Sequence, residues 1–249
     1  LPAAQRLGAS ALELEAAGEL LPQNLTQTGR REINHLLRSH DLSVSAIVCP
    51  LRRGIDVVEN LEPRLAQIRL TMELAFDLGP RLVIIPIGKI PVSPLPSGEG
   101  PGVRVAEDPA LQVLRESLLD LGRHGDRTGV IVALDNSVDS PETLVSLLDG
   151  FDVGSLAFNF NPANLVLAGA NPHDAVKTLH RRIVNVHAQD ARRVSPSKLA
   201  TVALGHGDID WMQLLANFEE IEYQGPLTVL GDGAAELASG VAFLRRFVR

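Results

Sequence analysis

Seven short runs of β-forming residues recur along this chain, each separated from the next by an amphipathic helical stretch. Strands are expected at Ala11–Glu15, Val44–Cys49, Leu82–Ile87, Val130–Asp135, Leu156–Asn161, Val184–Ala188 and Leu227–Leu230. Their cores are near-continuous apolar residues rather than strict alternation, which marks parallel strands covered on both faces. Helices are expected near Arg30–Ser39, Glu62–Leu78, Pro109–Arg123, Pro141–Leu148, Pro172–Arg182, Asp210–Glu219 and Ala234–Phe247. Ser140-Pro141 and Asn171-Pro172 place a capping side chain before a proline at the first helical position. Gly79, Gly125 and Gly150 are read as standing at or just past helix ends, where a positive φ costs glycine nothing.

Such a βα alternation predicts the α/β class and a (β/α)8 TIM barrel. Only seven units are present, and the chain opens inside a helical stretch, Ala3–Leu7, that stops at Gly8. The expectation is therefore a barrel whose first strand is missing from these residues. The rival is an open seven-stranded sheet with exposed edges at Ala11–Glu15 and Leu227–Leu230.

A length of 249 residues suits one barrel domain over 1–249, and 45% hydrophobic with 21% charged residues is the profile of a folded globule. A net charge of −7 disfavours nucleic acid and anionic membrane surfaces as partners. The lone Cys49 follows an apolar run, which points to a buried thiol and a reducing, cytoplasmic setting. No run of 18 apolar residues offers a spanning helix.

The stretch Val184-Asn185-Val186-His187-Ala188-Gln189-Asp190 delivers a His and an Asp at a strand's C-terminal end, where barrel enzymes keep their chemistry. Glu13 and Glu15 share one face of the first strand, and Asn159 and Asn161 share a face of the fifth. Amides both donate to and accept from hydroxyls, so the asparagines suit a polyhydroxylated ligand. Arg192 and Arg193 offer bidentate donors for phosphate or sugar hydroxyls. Ile87–Gly102 is long and rich in Pro and Gly, and is read either as a lid over the mouth or as a surface insertion. Gly231-Asp232-Gly233 opens a helix whose amides could receive an anion. Trp211 and Met212 start a helix, as a sugar platform or as packing; Asp208 and Asp210 read as helix caps. There is no G-x-G-x-x-G after a strand, no P-loop and no H-E-x-x-H.

Five short motifs, in order, resemble the xylose-isomerase-like barrels, the sugar phosphate isomerase/epimerase family. Gly8-Ala9-Ser10-Ala11-Leu12-Glu13-Leu14 is similar to that family's second-strand signature. Asn161-Pro162-Ala163-Asn164-Leu165 sits where the family has D-P-x-H-L, and Val186-His187-Ala188-Gln189-Asp190 resembles its V-H-x-K-D strand end. Gly205-His206-Gly207-Asp208-Ile209-Asp210-Trp211 is similar to L-G-x-G-x-I-D-W, and Gly225–Leu230 to a segment ending G-P-L-x-V-E.

The resemblance implies a divalent ion (Mn, Mg, Co or Zn) held by Glu, Asp, His and Glu at four strand ends, with two carboxylates moving a proton beside a sugar carbonyl. Those four positions fall here on Asp135, Asn161, His187 and Leu230. A further family His falls on Asn164, a basic residue on Arg193, and the Gly-x-Gly residue on His206. Two of three carboxylates are thus gone, and a hard ion wants charged oxygen. The expectation is no cofactor, with a metal only if the family site survives these substitutions.

Catalytic candidates are Asp135 and His187; substrate-binding candidates are Glu13, Glu15, Asn159, Asn161, Asn164, Arg193 and His206. The partner expected is a small sugar or sugar phosphate. Three functions stay open: an isomerase/epimerase-like protein with doubtful catalysis, a metal-free small-molecule binder, or a non-catalytic scaffold or assembly protein.

Overall fold

The computed structural model describes residues 1–91, 108–135, 139–195 and 198–247. From residue 92 onward, the long loop expected over the mouth lies outside the described residues. In chain order the elements are α1 (Pro2–Leu7), β1 (Ala11–Glu15), α2 (Gln27–Arg38), β2 (Ser43–Val48), α3 (Leu61–Leu78), β3 (Leu82–Pro86), α4 (Pro109–Thr128) and β4 (Ile131–Asp135). Then come α5 (Pro141–Asp149), β5 (Leu156–Phe160), α6 (Pro162–Leu167), α7 (Pro172–Leu179) and β6 (Ile183–Ala188). The chain finishes with β7 (Asp190–Ser195), β8 (Lys198–Val202), α8 (Trp211–Glu220), β9 (Leu227–Val229) and α9 (Ala234–Leu244).

Seven strands pair in the order β1-β2-β3-β4-β5-β6-β9, every neighbouring pair parallel. The result is a nearly closed barrel with helices outside. β1 and β9 do not pair with each other among the described residues, which is the gap the count of seven units anticipates.

Strand alternation sorts the apolar residues. Val83, Ile85, Val132, Leu134, Phe158 and Phe160 face outward into the large core beneath the helices. Ala46, Leu82, Ile84 and Ala133 form a smaller cluster of their own, with Val48 and Ile131 packed against it. Ile131, Ala133 and Asp135 share one face of β4, so this second cluster fills the barrel interior and Asp135 stands at its upper end.

The capping signals operate as expected: Ser140 accepts from Thr143 N at 3.3 Å, and Asn171 from His173 N at 2.9 Å. Gly79 ends α3 with φ 102, a left-handed value that glycine adopts without strain. Three readings need correction. Gly125 lies inside α4, which ends at Gly129; a Cβ at Gly125 would press on the Val130 carbonyl and the Ser155 side chain, so it serves close helix–strand approach. Gly150 caps α5 in an ordinary right-handed conformation, φ −75. Pro172–Arg182 divides into α7 and a short 3-10 turn at 180–182.

Three elements were not anticipated. α6 starts directly after β5, capped by Asn161, whose Oδ1 accepts from Asn164 N at 3.2 Å. The antiparallel pair β7–β8 is inserted between β6 and α8.

Candidate functional site

Because all seven barrel strands are parallel, their C-terminal ends meet on one side. A cavity of about 520 Å³ opens there, within the range of small-molecule sites. β1 contributes Glu13, Leu14 and Glu15, β2 contributes Val48, and β4 contributes Asp135. His187 comes from the end of β6 with Gln189 just beyond it, Asn161 and Asn164 from the start of α6, and Leu230 from the end of β9.

His187 is the best-anchored of these groups. Its Nε2 lies 2.8 Å from Glu13 Oε2, and the two side chains are only 7% and 12% exposed. Its Nδ1 lies 2.9 Å from Asn159 Nδ2. Asn159 Oδ1 in turn accepts from Asn185 Nδ2 at 2.7 Å, and Asn185 Oδ1 accepts from the Thr228 hydroxyl at 3.5 Å. An amide nitrogen only donates and an ionised carboxylate only accepts. These contacts fit the Nε2–H tautomer of the ring, in which Nδ1 accepts from Asn159 and Nε2 donates to Glu13.

Asp135 stands nearby, with its Oδ1 buried and without a hydrogen-bond partner. Burial pushes its carboxyl above the ordinary carboxylate pKa, and the Glu13 charge adds to the rise; His187 and the Asn159 amide oppose it. Asn161 is committed twice: Oδ1 caps α6, and Nδ2 donates to Gln189 Oε1 at 3.3 Å.

The expected site set is thus divided. Glu13, Glu15, Asp135, Asn161, Asn164 and His187 line the cavity. Asn159 lies beneath His187, 4% exposed, supporting the ring from within the barrel. Arg193 and His206 do not line the cavity. Arg193 is exposed on β7 with its backbone N–H donating to Asp208 Oδ2 at 2.7 Å, and the exposed His206 sits on the following turn, its carbonyl accepting from Arg192. The unforeseen β7–β8 hairpin carries these groups outward. Asp208 therefore ties down the hairpin rather than capping a helix, while Asp210 does cap α8, accepting from Gln213 N at 3.0 Å.

Sequence reasoning passed over Gln189 and the apolar wall of Leu14 and Val48. Asn161-Pro162 carried the same cap-plus-proline signal as Asn171-Pro172, so α6 was findable. Trp211 packs into the core at 2% exposure and Met212 is exposed, so neither makes a platform at the cavity. Of the amides at Gly231–Gly233, the middle one is answered from within the chain, since Asp232 N donates to Glu236 Oε2 at 3.0 Å.

The model of the xylose isomerase-like TIM barrel family matches residues 1–247. The chain belongs to that family. Solved structures with this fold include a xylose isomerase domain protein from Planctomyces limnophilus (TM-score 0.81, 22% identity, 98% of this chain and 88% of that one). A D-tagatose 3-epimerase-like protein superposes with TM-score 0.77 at 19% identity over 96% of this chain and 88% of the other. A xylose isomerase-like TIM barrel protein from Mycobacterium smegmatis, in complex with magnesium, gives TM-score 0.74 at 21% identity, covering 98% and 85%. No curated protein matches the sequence.

The residues present do not fit a divalent ion of the kind the family resemblance implies. Leu230 carries no donor atom, and the Asn161 oxygen is already a helix cap. Both ring nitrogens of His187 are engaged by the chain itself, whereas a metal-bound imidazole needs one bare lone pair. Among the described residues no three of His, Cys, Asp and Glu are grouped to hold an ion. No described helix is long and apolar enough to cross a membrane.

Proposed function

We propose that this xylose isomerase-like barrel binds a small polyhydroxylated compound in its mouth without a tightly held divalent ion. The observation that carries this reading is the closed hydrogen-bonding of His187 between Asn159 and Glu13, beside a cavity wall that contains Leu230. The family supports a sugar as the ligand class, and the cavity supplies carboxylate and amide groups suited to hydroxyls. Binding is tested by a thermal-shift screen against sugars and sugar phosphates, with and without metal, because specific binding raises apparent stability by mass action. Shifts with polyols that do not depend on metal are expected. No shift with any polyol at millimolar concentration defeats the reading. Isothermal titration with manganese and zinc tests the second half: micromolar affinity that vanishes in His187→Ala would overturn it.

One observation favours a catalytic variant of this reading. Two carboxylates, Glu13 and Asp135, line the same cavity, and burial raises the Asp135 carboxyl above the ordinary carboxylate pKa. Proton exchange beside a sugar carbonyl, slow for want of a carboxylate at Leu230, is the reaction class. Deuterium incorporation from heavy water into a ketose, lost in Asp135→Asn, is the measurement that decides it.

A further inference from the structure

The described walls of the cavity hold three carboxylates, Glu13, Glu15 and Asp135, one imidazole, and no Lys or Arg. Two other places had offered phosphate recognition in the sequence, and neither supplies it in the fold. Arg193 stands on β7 and is not among the residues lining the cavity, and at the helix start the Glu236 carboxylate already takes the Asp232 amide. An anionic group entering this cavity would meet carboxylates, and among the described walls only amides and one imidazole, with no cationic side chain, to offset its desolvation.

Beneath the cavity, hydrogen bonds run with a single polarity. With His187 as the Nε2–H tautomer, Thr228 donates to Asn185, Asn185 to Asn159, Asn159 to His187 Nδ1, and His187 Nε2 to Glu13. These residues come from β9, β6, β5, β6 and β1 in turn, so the run ties both edge strands of the sheet to its interior. Asn185 is wholly buried. Buried amides in an otherwise apolar barrel are costly unless every atom is used, and these are used in a direction that leaves one proton on the ring, at Nε2. That proton supports Glu13 Oε2, while the other Glu13 oxygen makes no hydrogen bond among the described residues.

Building on the proposed binding role of the cavity, we propose that Asn159 is a positioning residue that fixes His187 as the Nε2–H tautomer, so that Glu13 faces the ligand as a charged acceptor and the site takes neutral or amine-bearing polyols in preference to phosphate esters. Asn159 acts through His187 and Glu13 and does not itself reach the cavity. The ligand class follows from chemistry: hydroxyl and ammonium groups donate to Glu13, and a phosphate dianion cannot.

Two arms of one experiment test this on the full chain. In the first, ¹⁵N NMR of the imidazole nitrogens, with His187 assigned by its loss in His187→Gln, reads the tautomer at neutral pH without any ligand. A protonated Nε2 and a bare Nδ1 are expected. Asn159→Asp keeps the shape but replaces the donor facing Nδ1 with an acceptor, and should bring a proton onto Nδ1. A wild-type ring protonated at Nδ1, which would mean the whole run is turned over, overturns the proposal. So does an Asn159→Asp protein that is folded but unchanged at His187.

In the second arm, glucosamine, glucose and glucose 6-phosphate are titrated while the same His187 signals are followed. The amine and the neutral sugar should act at concentrations at least tenfold below the phosphate ester, and Glu13→Gln should abolish the preference for the amine. An equal response to amine and phosphate ester, or a response to neither, overturns the ligand assignment. The tautomer result stands apart from ligand binding, so failure of the binding role and failure of the Asn159 role are read separately.

Discussion

Asp190 is 1% exposed, and its two carboxylate oxygens accept four backbone N–H groups, from Ala191, Ile209, Gly205 and Gly207, at 2.9–3.3 Å. It is the residue that folds the 203–209 turn back onto the start of β7. A Cβ at Gly207 would overlap this carboxylate, so the glycine is required by close approach. Unpaired buried groups cost about 1–3 kcal/mol each, so Asp190→Ala should lower stability by at least about 3 kcal/mol in urea denaturation, and Gly207→Ala should also destabilise. Asp135 behaves in the opposite sense. Its carboxyl is raised by burial, so the fold favours the protonated form and loses stability as pH rises from the ordinary carboxylate pKa through the raised one. Asp135→Asn removes that charge. It should unfold at higher denaturant than wild type at pH 7, with the advantage shrinking toward pH 4; a variant less stable than wild type at pH 7 contradicts the assignment.

Helix ends and helix seats set the next level. Asp210 caps α8 through Gln213 N, and the loss of such a cap costs about 1 kcal/mol. Asp210→Ala should show a loss of that size at equilibrium, with binding in the cavity unaffected because Asp210 is not among the residues that line it. α9 sits on β9 through Gly240, where a Cβ would come within 2.5 Å of Val229 Cγ1. Gly240→Val overpacks that seat and should destabilise by about 1–3 kcal/mol. Since β9 also carries Thr228, the same variant should disturb the His187 imidazole signals, which a purely outer-shell packing defect would leave alone.

The whole molecule is a parallel sheet wound almost to closure, with β1 and β9 as its two edges. Each edge strand pairs on one side only among the described residues, while β3, β4 and β5 pair on both and are almost wholly buried. Opening free energies follow such differences. In this chain, amide hydrogen exchange should be faster in β1 and β9 than in β3 and β4; equal protection would show that the edges are closed in solution. Glu13 belongs to one edge and Thr228 to the other, so the groups that orient His187 lie where the barrel is least braced.

The seven barrel strands and seven of their helices were legible in the sequence because their signals are local. Apolar runs, cap-plus-proline pairs and terminal glycines act within a few residues of themselves. The strand-end position of Asp135 and His187 followed from the same pattern once the strands were taken as parallel. What the tertiary structure decided is which side chains meet. Glu13 and His187 are 174 residues apart and touch only because the barrel winds β1 round toward β6. Asn159 fell below the cavity rather than onto its wall because strand register, not residue type, sets depth in a barrel. Arg193 and His206 left the site because β7 and β8 pair with each other, and antiparallel pairing of two partly exposed, weakly apolar segments leaves no periodic trace that a sequence could show.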